Sequence, residues 1–477
     1  MKRNLVLAAA VILAALNCNT LTVPSPTAMP TPTARPTATA TVLPTPTPPG
    51  AGQLTLAVTN TFTDTSGNYH LVGEVRNNTD QALTAIEIAV ELADSAGNSV
   101  LMDDDNAIVE QVTVSPLLYT LAPGETSPFE YTLVHSWGGV TRGTPAAYKA
   151  TLAGQQTGRV NRARLRVEHI HIIDDGAGRL YLNGELVNTE NRWVRVHALA
   201  GAVVNADRVL SANATLTYAG ELAPAGDAQE RDRTPFGLVL SSPGLGATLP
   251  TFYWDADIAD DVTDDSLSLA VTNTYVDQDG VLHMVGLLTN ESERRRDVRL
   301  VGGLYAADGA VLSAGYGLWG PIPVDPGAPI PFDVTRFANA DTGEPAASFA
   351  SYRLVVDRYA ERFKRYLGSI YTATAASVEL PVTDEQPSKV GATWSFFGHA
   401  LNDSGQPLGY AVLFLSVYDA NGGLVATTDL RWGDISTGVL TPFPPGKKLE
   451  YIATVRLDPN ADASEYRTVT TVIGQVE

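Results

Sequence analysis

The sequence predicts an all-β protein: four tandem immunoglobulin-like antiparallel β-sandwiches, preceded by a signal peptide and a disordered Pro/Thr-rich linker. Three observations lead there. Short runs of alternating apolar and polar residues, bounded by Gly, Pro, Asn and Asp, fill the chain from Leu54 onward. One pattern of landmarks returns about every hundred residues, too long for a solenoid unit and suited to self-sufficient domains. The chain has 477 residues, 44% of them hydrophobic, enough for several packed cores.

The N-terminus comes first. Lys2 and Arg3 precede the apolar run Leu5 to Leu16, which reads as an export signal too short to span a bilayer comfortably. Cys18, the single cysteine, follows. This arrangement resembles a bacterial lipoprotein signal, which implies a signal peptide over residues 1–17 and lipidation of Cys18. Asn17 departs from the small residue that the resemblance calls for. The resemblance implies an extracytoplasmic, cell-surface, lipid-anchored protein with the membrane as its first partner; the alternative is a secreted protein. Residues 18–52 are dominated by proline and threonine and cannot bury a core, so they form an extended linker. At about 3.1 Å per residue, the run Val23 to Gly50 reaches on the order of 90 Å.

The repeats occupy 53–157, 158–262, 263–369 and 370–477. Each contains a glycine followed four residues later by asparagine: Gly73 and Asn77, Gly184 and Asn188, Gly286 and Asn290, Gly398 and Asn402. A strand ending in a polar turn follows, as in "ELADSAGNSV" from Glu91 and "VYDANGGLVA" from Val417. Pro-Gly turns come later at Pro123, Pro326 and Pro445, with Pro224-Ala225-Gly226 in the second copy. A Pro-Phe pair recurs at Pro128, Pro235 and Pro331, whereas Pro442-Phe443 of the fourth copy precedes its turn. Tyr148, Tyr253, Tyr352 and Tyr466 mark the closing strands. Copies one and three also begin almost alike, with "LTLAVTNTF" from Leu54 and "LSLAVTNTY" from Leu267.

Within a copy the period is two. Ile86, Ile88, Val90 and Leu92 fall on one face, with Glu87 and Glu91 on the other. A glycine inside a strand permits a bulge, a close backbone approach, or a large side chain from the facing sheet above it. The asparagine starts a turn through its side chain and its tolerance of unusual φ. Asn77, Asn290 and Asn402 satisfy the glycosylation sequon, but Asn188 does not, so the turn role explains all four. Core candidates are Val72, Leu182, Trp394 and Phe396.

The Gly-x-x-x-Asn strand and turn, the run "FLSVYDANG" from Phe414, and the Pro-Gly and Pro-Phe landmarks resemble the bacterial FxLYD domain. Phe414, Leu415, Val417, Tyr418 and Asp419 lie close to its namesake letters, with one residue extra, and Leu304-Tyr305 matches in part. The resemblance implies an extracytoplasmic Ig-like sandwich and no catalytic residues.

The net charge of −20 excludes nucleic acid, because phosphate binding needs clustered cations. No serine nucleophile elbow, phosphate loop or metalloprotease helix appears. His70 and His283 hold equivalent places, occupied by Tyr181 and Ser395 in the other copies, and read as sheet-surface positions. His169 and His171, with Glu168 or Asp174, are a weak metal candidate. The run Asp255 to Asp265 joins copies two and three. Its Asp255, Asp257, Asp260, Asp261, Asp264 and Asp265 are the candidate calcium ligands, set against a solvated linker. Apart from that calcium no cofactor is expected. Trp137, Trp193, Trp254, Trp319 and Trp432 are candidate platform or packing residues, and unpaired strand edges are candidate binding sites. The expected function is a non-enzymatic, surface-anchored array for adhesion, envelope interaction or binding of cell-wall glycan or envelope protein. A structural spacer is the alternative.

Overall fold

Alternating burial is the rule by which these segments become strands. In Leu83–Ala93, Ile86, Ile88, Val90 and Leu92 are buried while Glu87 stays in solvent, so one face packs and the other is wetted. The same logic, repeated between tight turns, yields strands and no helix among the described residues. The structure is a computed structural model. It describes residues 53–103, 107–137, 140–205, 208–241, 250–262, 267–337, 349–359, 377–432 and 443–476. The chain divides into two units, residues 1–48 and 49–477, and every described residue lies in the second. Cys18 therefore falls outside the described residues.

Each repeat is built from antiparallel strands. In repeat 1 one sheet runs Leu54–Thr63, Tyr69–Asn77, Thr126–Leu133, and faces a sheet ordered Ala147–Thr157, Leu83–Ala93, Val112–Val114. Repeat 2 has the corresponding sheet of Leu165–Asp174, Arg179–Asn188 and Arg233–Ser241, facing one centred on Val194–Asn205. Repeat 4 pairs Val382–Val390, Thr393–Leu401 and Lys448–Arg456, opposite Ser377–Leu380, Arg467–Val476, Leu408–Tyr418 and Leu424–Trp432. Repeat 3 differs. Its strand Val311–Val324 pairs first with Arg296–Tyr305 and then with Pro329–Phe337, so both layers join in one six-stranded sheet.

The landmark glycine now has a physical reason, and it involves the Pro-Phe landmark. Gly73, Gly184 and Gly286 lie directly across from Phe129, Phe236 and Phe332 on the neighbouring strand of the same sheet. Each ring lies over its glycine: a methyl added at Gly73 would come within 2.5 and 2.6 Å of the Phe129 ring and collide with the Ala57 carbonyl oxygen. The occupant is thus a cross-strand aromatic, not a side chain from the facing sheet. Repeat 4, whose Pro-Phe pair is displaced, places Tyr451 across from Gly398 instead.

The asparagine acts through its side chain alone, since none of the four adopts positive φ. Asn77 is fully buried and donates to the carbonyls of Gln81, Leu121 and Ala122, while its Oδ1 accepts from Thr79 N and Oγ1. Asn290 and Asn402 repeat the pattern with Ser292 and Ser404. Their backbone carbonyls accept from Gly327 and Gly446 of the Pro-Gly turns, as Asn77 does from Gly124. In repeats 1, 3 and 4 the asparagine and the Pro-Gly turn are therefore one hydrogen-bonded assembly, while in repeat 2 Asn188 bonds Ala223 O and Gly226 N turns to Asp232 instead. The sequon hydroxyls are parts of the staple, and the buried amides have their bonds inside the protein.

Candidate functional site

The described repeats are not beads on a string. Both Thr59 and Thr272 sit at a bulge, between Val58 and Asn60 and between Val271 and Asn273. The bulge turns the Thr-Asn pair outward onto the next repeat. Thr59 Oγ1 donates to Val209 O at 2.6 Å and Asn60 Nδ2 to Leu210 O at 2.7 Å. Thr272 and Asn273 make the same bonds to Leu424 O and Val425 O, at 2.7 and 2.8 Å. This is why copies one and three start alike: "VTNT" is a junction clamp. The second junction uses another residue for the same target, with Asn183 Nδ2 donating to Leu312 O at 3.0 Å. Apolar contact seals each clamp. Val72 packs with Ala202, Val209 and Ala212, and Val285 with the repeat 4 core. Val72 is thus buried by the next repeat, while Leu182, Trp394 and Phe396 are buried as expected of a core.

His70 and His283 are corrected by this packing. They are not sheet-surface residues: they are 3% and 8% exposed, because the junction covers their face. His70 lies between Glu130, 2.7 Å from Nδ1, and Asp64, 3.2 Å from Nε2, with its ring stacked on Phe62. His283 lies in the same way between Asp333 and Asp277, stacked on Tyr275. Burial alone would lower both imidazole pKa values, but the hydrogen bonds and charges of the two carboxylates outweigh it and raise them. Glu130 carries the effect across the junction, since its Oε2 accepts the Ala212 amide at 2.8 Å.

The acidic run is divided between strand and loop. Asp255 and Asp257 belong to the closing strand Pro250–Ile258, not to a linker between copies. Asp255 is buried against Arg162 and accepts Thr120 N of repeat 1 at 2.9 Å. Asp257 accepts Asn161 N at 3.1 Å and lies 3.5 Å from His197. Asp260 lies 3.5 Å from Arg192, and Asp261 takes Arg195 through both oxygens at 2.7 and 2.8 Å. Asp264 and Asp265 lie outside the described residues. Among the described residues no group of three or more His, Cys, Asp or Glu is arranged to hold a metal ion. The His169–His171 pair is split by a bulge between Glu168 and His171, where His169 takes a left-handed backbone. Trp193 has guanidinium groups over its ring, Arg231 at 5.7 Å and Arg358 at 5.3 Å from the centroid. Trp254 packs against the repeat 2 core. The side chains of Trp137, Trp319 and Trp432 lie outside the described residues.

A groove lies where repeats 2 and 3 meet, with a cavity volume of about 800 Å³. Glu230 and Arg231 line it from repeat 2; Leu269, Tyr352, Arg353 and Leu354 line it from repeat 3. Its floor is the strand Ser351–Asp357, the last strand of its sheet, so one row of backbone groups is not taken by a neighbouring strand among the described residues. Below it, Glu185 is almost fully buried and bonded to Tyr305 Oη at 2.7 Å and Arg353 at 2.8 Å. Burial and the adjacent Glu185 carboxylate push the Tyr305 phenol upward, so it stays a proton donor to that carboxylate. These groups fix the groove wall. Sequence reasoning missed the groove because its residues come from two copies.

An all-β, multi-domain array with β-sandwich-like repeats is the class that these sheets and junctions define. No family model matches the chain, and no curated protein matches it. Among solved structures, the C-terminal globular domain of an oligosaccharyltransferase from Pyrococcus abyssi is similar at 11% identity, covering 63% of this chain and 76% of that one, with a TM-score of 0.13.

Proposed function

We propose that this chain is a non-enzymatic binding array of FxLYD-like repeats, held at the cell surface through a lipidated Cys18. The observation that carries this reading is the groove between repeats 2 and 3. It joins apolar side chains, both signs of charge and a strand edge with no neighbouring strand among the described residues, the combination that captures an extended peptide by strand addition or a glycan by mixed contacts. The clamped junctions support it further, because they hold two walls from different repeats at a fixed separation. The same clamps favour the second reading, a structural spacer of the envelope, which needs fixed angles and no ligand.

The test is a binding screen of residues 49–477 against cell-wall polymers, glycans and secreted proteins from the same cells, with and without calcium. Tyr352 is 43% exposed in the groove, so Tyr352→Ala is tolerated by the fold. Saturable binding that falls at least tenfold in this variant supports the array. Silence of the wild-type protein throughout the screen returns the chain to the spacer reading.

A further inference from the structure

The junctions share one design on their forward side. The residue just before the repeated glycine is the plug that the next repeat covers: Val72, Asn183 and Val285 are all 0% exposed. Repeat 4 carries Phe397 at this place, and it is 43% exposed. Its cross-strand partner Ile452 is 62% exposed. Gln386 stands across from Phe397, after a bulge, as Asn60 stands across from Val72 and Asn273 from Val285. The terminal described repeat thus has an amide and a larger apolar plug, with no described residue covering them.

The rear side of the array does not complement that face. Where repeat 2 receives its neighbour with Ala202, Val209 and Ala212, repeat 1 has on its outer sheet face the ion pair Glu91–Lys149, at 2.6 Å, with Lys149 exposed and Glu91 half-buried. A polar face of this kind is stable in contact with water. The two ends are therefore unlike, one polar and one apolar, and head-to-tail joining of chains would bury the Glu91–Lys149 pair against phenylalanine and isoleucine.

We propose that the forward face of repeat 4 is a self-association surface, on which a second copy of this chain packs by its own repeat 4 about a two-fold axis. Phe397 and Ile452 of each copy meet their counterparts, which is the arrangement in which one apolar patch complements itself. Around this patch Lys448 pairs with Asp384 at 3.2 Å and Glu450 lies 3.8 Å from His399, so the charged groups at the rim are engaged within their own chain and leave Phe397 and Ile452 as its apolar centre.

The unit 49–477 contains every described strand and is the protein to use. Sedimentation from low- to high-micromolar concentration is expected to show a monomer–dimer equilibrium. The double variant Phe397→Asp with Ile452→Asp, both at exposed positions, is expected to stay monomeric with an unchanged circular dichroism spectrum. A wild-type unit that remains monomeric overturns the proposal, as does dimerisation that survives the double variant. Ser395→Cys gives the geometry, because this unit lacks cysteine. A disulfide-linked dimer on oxidation supports the two-fold packing, and association without that crosslink overturns it.

Discussion

Replacing Gly286 with alanine tests the aromatic-over-glycine device directly. The added methyl would stand 2.5 Å from Phe332 Cζ and would run into the Ala270 carbonyl oxygen. Phe332 is fully buried, so the ring has no empty volume to enter, and the carbonyl belongs to a paired strand. Overpacking of this kind costs about 1–3 kcal/mol, and the backbone clash places Gly286→Ala at the upper end. Against this, alanine restricts the unfolded chain and returns about 0.5–1 kcal/mol. The net expectation is a loss of about 2 kcal/mol. Gly398→Ala meets chiefly the tip of Tyr451, at 2.6 Å from Oη. That side chain can swing aside by giving up its 2.6 Å bond to Glu385, so the loss should be nearer 1 kcal/mol. A four-repeat array need not unfold in one step, so the assay is native-state hydrogen exchange read on peptides from each repeat. Loss confined to repeat 3 and its junctions, and larger for Gly286→Ala than for Gly398→Ala, is the expected result. A Gly286→Ala protein within about 0.5 kcal/mol of wild type, the scatter of ordinary surface changes, would refute the reasoning.

Removing a turn asparagine should be as costly. Asn402→Ala removes one of two donors to each of the Gln406 and Phe443 carbonyls, which keep Ser404 Oγ and Leu408 N, and takes the Oδ1 acceptor from the Ser404 amide and hydroxyl, for a loss of about 1–3 kcal/mol seen in urea unfolding of repeat 4. The junction clamp separates from the fold: Thr272→Val with Asn273→Ala should speed amide exchange in Leu424–Trp432 and leave Leu54–Thr63 untouched. The histidines give a pH dependence with a definite sign. Their folded pKa values are raised above the unfolded value of about 6.5, so their contribution is fully present below that pH and is lost as pH rises through the folded pKa. Exchange at Ala212, whose amide is held by Glu130, should therefore quicken toward alkaline pH beyond its intrinsic rate, and His70→Gln should flatten that dependence.

Much of the architecture could be read from the residues, because period-two alternation and turn chemistry act locally. Ile86 to Leu92 show this, and so does the Gly-x-x-x-Asn landmark. What escaped reading were relations between strands and between repeats. Gly73 and Phe129 are separated in sequence and become neighbours through register alone. His70 looked like a solvent-facing position because alternation within one repeat cannot report that the next repeat will cover it. The near identity of "LTLAVTNTF" and "LSLAVTNTY" carried the missing signal: a likeness greater than the fold demands marks a shared contact. The arginine partners of the aspartate run were equally out of reach, since charges adjacent in sequence are distributed in space among Arg162, Arg192 and Arg195.

The Thr-Asn clamp joins the first repeat to the second and the third to the fourth, while the middle junction is held by Asn183. The array is therefore written in couplets. Loss or duplication of a single internal repeat would bring one kind of clamp to a seam where the other now stands. Loss or gain of two at once would leave every seam matched. Lineages carrying this protein should accordingly vary its length by even numbers of repeats, and engineered arrays should tolerate excision of a couplet more readily than excision of one member.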